Sequence, residues 1–134
     1  MELYNFTEGQ LNGPAEAAFV DGLNAALGVA LPPSYLDFLK AHDGGDGFIG
    51  DHYIVFWQAQ ELADFNREYE VGTYAPGIFL FACDGGGEGY GFDTDEASMP
   101  IVRIPLIGME RQYAEPVARD VPELFVRLAL EPAG

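Results

Sequence analysis

Three short apolar runs, Ile78–Cys83, Gly89–Asp93 and Ile101–Ile104, follow one another with only glycine-rich or polar links between them. A parallel crossover needs about a dozen residues or more, so these runs are expected to pair as antiparallel neighbours in a meander. A fourth run, His52–Trp57, is rich in β-branched and aromatic residues, which suit the half-buried face of a sheet.

Helical periods surround these runs. Phe19, Leu23, Ala26 and Leu27 predict a helix from Pro14 to about Leu27, with Gly28 just past its end. Tyr35, Phe38, Leu39 and His42 predict a second helix from Pro32 or Pro33, stopped by Gly44-Gly45, and Val29-Ala30-Leu31 joins the two as a hairpin. Leu62, Phe65 and Tyr69 place a third helix between Gln58 and about Tyr69, over the sheet. Asp120 followed by Glu123 reads as a capping box, opening a last helix that buries Val121, Leu124, Phe125 and Leu128. The order lacks the regular strand–helix alternation of a parallel doubly wound sheet. The expectation is an α+β fold, one domain over residues 1–134 with its core at about 14–130, and an antiparallel sheet of about four to six strands flanked by helices.

Charge narrows the choice of partners. The chain carries 22 Asp and Glu against 6 Lys and Arg, a formal charge of -16. Lys40, Arg67, Arg103, Arg111, Arg119 and Arg127 stand singly, with no cluster to displace the counterions of a phosphate backbone. Nucleic acid and anionic membrane are therefore disfavoured as direct partners. A field of one sign favours fast capture of a basic protein, although net charge also serves solubility alone. Cys83 has no second cysteine to pair with, and the first residues lack the basic start and apolar stretch of a signal peptide, so a cytoplasmic location is expected.

Several motifs, taken in order, resemble those of the SUKH superfamily, which includes bacterial immunity proteins and Smi/Knr-type regulators of fungal cell-wall assembly. Leu31-Pro32, Tyr35, Phe38-Leu39 and Gly44-Gly45 are similar to its Leu-Pro, Tyr, Phe-Leu, Asn-Gly-Gly signature. Trp57, then Asn66 to Tyr69, continue it. Phe79 to Asp93 is similar to its strand, Asp-Gly-x-Gly turn and following strand, and Ala118 to Val121 with Leu124-Phe125 closes it. Asp43 stands where Asn is common, and Asp120-Val121 where Ser-Phe is common. The resemblance implies a non-catalytic immunity protein that covers a polymorphic toxin, often a nuclease. A regulatory or scaffold module binding an endogenous protein is the alternative.

Candidate contact residues follow from loop position and chemistry. Asp43, Asp46 and Asp51 lie in one glycine-rich segment, and Asp84, Glu88, Asp93, Asp95 and Glu96 in another, so the two are candidates to share a rim. Aspartate and glycine also simply build turns. Tyr74 and Tyr113 fall in loops and are candidate contact anchors, whereas Trp57, Tyr53, Tyr69 and Tyr90 read as core. No metal is expected, since neither segment has the register of a calcium loop. No cofactor is expected either: the run Gly85–Gly91 contains Glu88, lacks a following Lys-Ser or Lys-Thr, and is flanked by strands, unlike a phosphate cradle. Cys83, at the end of an apolar strand, reads as a small buried hydrophobe, and His42 and His52 as structural. No catalytic residue is assigned; a carboxylate pair such as Asp93 with Asp95 or Glu96 would need a separation that sequence does not give.

Overall fold

The computed structural model of the chain describes residues 6–132. Its sheet is antiparallel, and spatial order follows chain order through β1 (Thr7–Leu11), β2 (Gly45–Ile49), β3 (His52–Phe56), β4 (Ile78–Cys83), β5 (Glu88–Asp93), β6 (Ile101–Pro105) and β7 (Glu115–Ala118). The helices are α1 (Ala17–Asp21), α2 (Leu23–Leu27), α3 (Pro33–Ala41), α4 (Leu62–Glu68), α5 (Val71–Tyr74) and α6 (Val121–Leu130). The class is α+β, as the meander demands, but seven strands exceed the expected four to six.

The extra strands are those with the poorest strand composition. β2, Gly-Asp-Gly-Phe-Ile, reads as a loop by propensity, yet it pairs with β3 over all five of its residues and with β1 on its other edge. Glycine serves close approach here: a Cβ on Gly45, whose φ is +136°, would stand 2.4 Å from the Gln10 carbonyl oxygen of β1. β1 is polar and exposed, and β7 contains Pro116, which suits a strand paired on one side only.

The first helical period also needs correction. Residues 14–16 are extended, with the Ala15 amide donating to the Leu39 carbonyl, and Gly22 divides the helical stretch into α1 and α2. Val20 and Leu23 are buried, whereas Phe19 and Ala26, read from spacing as core, are exposed. His42 lies beyond the end of α3, its Nδ1 2.9 Å from the Asn12 carbonyl oxygen. The third helical stretch begins as a 3-10 turn at Ala59–Glu61 before α4, and Trp57 packs at a tilt on Phe65 and parallel to Tyr69.

Alternation along β5 sends Tyr90 and Phe92 to one face of the sheet, Gly89 and Gly91 to the other. α3 and α6 cover the first face. Phe38, Phe56, Phe81, Phe92 and Phe125 pack there with Tyr35, at ring separations of 4.6 Å for Phe81–Phe92 and 5.0 Å for Phe38–Phe56. A register shift between Leu80 and Ala82 accompanies the inward position of Phe81. Asp120 opens α6 by accepting the Glu123 amide at 2.9 Å; the Glu123 carboxylate reaches back to the amide of Arg119, one residue earlier than in a standard capping box.

On the opposite face, α4 lies against β4, and the link 106–114 lies against β5. The Leu106 side chain meets Gly89, Met109 is buried, and Arg111 pins the link to Asp93 at 2.6 Å and to the Pro76 carbonyl at 3.1 Å. The outer face of β2 and β3 stays partly open, with Phe48 edge-on to Tyr53.

Candidate functional site

The register separates the acidic candidates. Asp43 precedes β2 and Asp51 follows it; Glu88 opens β5 and Asp93 closes it. Five residues of strand span about 17 Å, so each glycine-rich segment supplies carboxylates to two distant places.

Some of these carboxylates are fixed by backbone. Asp43 Oδ1 accepts the Ala59 amide at 2.8 Å, tying the end of α3 to the turn before α4, and its charge helps burial push the Tyr35 phenol upward. Asp84 Oδ1 accepts the amides of Gly86 and Glu88, at 2.8 and 3.1 Å, and so shapes the β4–β5 turn. Asp46, on the outer face of β2, accepts the Tyr53 hydroxyl at 2.7 Å. Asp51 is exposed in the β2–β3 turn.

Asp93, Asp95 and Glu96 gather at one end of β5. Arg111 bonds Asp93 and lies 3.4 Å from Asp95, and Glu96 lines the same cavity of about 290 Å³. With Arg111 between them, Asp93 and Asp95 are an ion-pair cluster that anchors the 106–114 link. Tyr74, at the end of α5, is 53% exposed.

The other end of β5 has a different character. Glu88 borders a cleft with Arg103, Pro105, Gln112, Tyr113 and Glu115. Arg103 sits opposite Tyr90 in the β5–β6 ladder, with its guanidinium 5.4 Å from that ring's centre, and bonds Glu131 at 3.1 Å. His52 approaches the same Glu131, its Nε2 2.8 Å from the backbone oxygen. Burial, then Asp84, raises the Glu88 carboxyl above the usual range; Arg103 opposes this and Glu115 adds to it. Tyr113 is 49% exposed. Glu88 and Tyr113 thus meet here, with the Asp84 charge acting on Glu88 from the turn, whereas Asp93, Asp95 and Glu96 do not join them.

Arg103, Glu115 and Glu131 escaped the sequence reading. A signal was present for the first: an arginine inside Ile101-Val102-Arg103-Ile104 must find a counter-charge or an aromatic face if the strand is half buried. Glu115 could not be found, since the composition of 115–118 carries no strand pattern of its own.

Every Lys and Arg of the chain is engaged with a carboxylate: Lys40 with Asp21, Arg67 with Asp64, Arg103 with Glu131, Arg111 with Asp93, and both Arg119 and Arg127 with Glu123. Among the described residues no group of three His, Cys, Asp or Glu side chains is placed to hold a metal ion. No helix among them is long and apolar enough to cross a membrane.

The succession of elements from the α1–α3 hairpin, through the Asp84-capped turn, to α6 is also the extent of a match to known sequences. The profile of the SMI1 / KNR4 family (SUKH-1) matches residues 14–127. The chain belongs to this family. Domains of the SUKH type are in general immunity or regulatory modules. The SUKH-1 match begins after β1 and ends inside α6, so the exposed edge strand lies outside it. No curated protein matches the chain.

Proposed function

We propose that this SUKH-1 chain is a non-catalytic immunity protein that neutralises a bacterial polymorphic toxin, such as a nuclease, by covering it with an acidic surface. The observation that carries this reading is the state of the charges. All six cations already lie against carboxylates, so none stands ready for phosphate, and the formal excess of -16 remains to act on the surroundings. A nuclease must attract a polyanion, and its face is correspondingly basic; an acidic domain competes for that face and is steered to it before contact. Family membership supports a protein partner in general.

The test is coexpression with each toxin encoded by the same organism, scored for growth. Rescue by one toxin's partner, with binding of the purified pair that weakens as salt rises, is the expected outcome. Absence of rescue against all of them, or turnover of a substrate that disappears when one cleft residue is changed, overturns the reading.

A further inference from the structure

Two clefts adjoin along β6 and β7. The larger, about 440 Å³, opens between the last turn of α6 and β7; the smaller, about 270 Å³, opens between the start of β5 and Tyr113. Arg103 and Glu115 border both, so the two form one groove. Its ends carry uncovered apolar side chains, Leu130 at 80% exposure and Tyr113 at 49%. Between them lie Glu88, Glu115 and Glu131 against Arg103 and Arg127. Arg103 is engaged by Glu131 and by the Tyr90 ring, and Arg127 by Glu123, while Glu88 and Glu115 have no ion-pair partner among the described residues.

Chemistry selects the occupant. A second copy of a chain with charge -16 is repelled, and so are phosphate backbones and anionic lipid. Apolar anchors flanking unpaired carboxylates fit a protein segment that offers a long cationic side chain, whose alkyl stem packs while its head stays charged.

We propose that this groove is the docking site for the basic partner, and that Glu88 and Glu115 receive an arginine side chain whose stem lies against Tyr113. This rests on the reading of a cationic protein partner, and deepens it by choosing one face. Glu88, which has no ion-pair partner among the described residues, then gains a second cation beside Arg103.

The probe is a hexa-arginine peptide titrated into the full chain at low salt, followed by backbone amide NMR. Shifts concentrated at Glu88, Arg103, Gln112, Tyr113 and Glu115 are expected. The E88Q/E115Q double variant is expected to weaken binding about tenfold, and Y113A several-fold, whereas the charge-matched pair E16Q/E68Q changes affinity less than about twofold. Amide spectra of each variant establish that it is folded. Equal weakening by the two double variants overturns the groove and leaves a diffuse field, with the cationic-partner reading intact. No binding of the peptide by the wild-type chain overturns both. Dilution-dependent shifts at the groove without peptide assign it to a second copy and overturn the proposal.

Discussion

A carboxylate's role depends on what its oxygens touch, and this separates residues that look alike in sequence. Asp84 and Glu88 lie in the same glycine-rich turn, but Asp84 accepts two backbone amides and holds the turn, whereas Glu88 has no ion-pair partner among the described residues. The consequence is a pH dependence with a definite sign. Because its carboxyl is raised, the folded chain binds that proton more tightly than the unfolded one; the stability attached to this group is present at low pH and is lost as pH rises through the raised value. Glu88→Gln removes the loss. Thermal melts are expected to show a higher Tm than wild type at about pH 7 and no gain at about pH 4. An equal gain at both would mean that the amide acts through packing, not through charge.

Among the elements, the junction of β3 and β4 is the least obvious. Val55 pairs with Cys83 and Phe56 with Ala82 across it, and the Trp57 amide donates to the Phe81 carbonyl just beyond; Leu80 is not in the β3 register. Asn66 of α4 meets it instead: its amide nitrogen donates to the Leu80 carbonyl and its oxygen accepts the Leu80 amide, both at 2.9 Å. Asn66→Ala leaves both backbone groups of a buried residue unpaired, at about 1–3 kcal/mol each. A fall of that size in unfolding free energy, measured by urea titration, is the expected result; a change below about 0.5 kcal/mol would show that water or β3 takes over. This bond explains why elements differed in legibility. β4, β5 and β6 could be read because each carries its own apolar pattern, and α3 and α6 because their buried residues recur at helical spacing. β2 could not, since its glycines answer to the backbone of β1 across the ladder, and β7 could not, since a proline-bearing edge strand exists only by virtue of β6. Residues 14–16 were misread for the same reason: the Leu39 carbonyl of α3, distant in sequence, holds them extended. The candidate site was half legible, because Glu88 and Tyr113 stand in recognisable loops while Arg103 and Glu115 become neighbours only through strand register.

For the molecule as a whole, the same excess charge acts on folding and on binding in opposite directions. Compaction brings unbalanced carboxylates together, and the ion pairs made by the six cations offset only part of this, so screening is expected to stabilise the fold. Raising salt from about 0.1 to about 1 M shortens the Debye length from about 10 to about 3 Å. Over that range the Tm of the free chain is expected to rise while its affinity for a cationic partner falls. The two responses have one cause, and their opposite signs are diagnostic. An interface held by burial of Leu130 and Tyr113 alone would keep or gain affinity in salt, because apolar association is not screened. A basic partner bound at low salt supplies the missing cations itself, so the complex is expected to melt higher than the free chain and to lose that advantage as salt is added. Parallel melting curves of the chain, with and without hexa-arginine, across the same salt series test both halves together. If Tm were indifferent to salt in the free chain, carboxylate repulsion would be a minor term in its folding, and the field invoked for partner capture would be correspondingly weak.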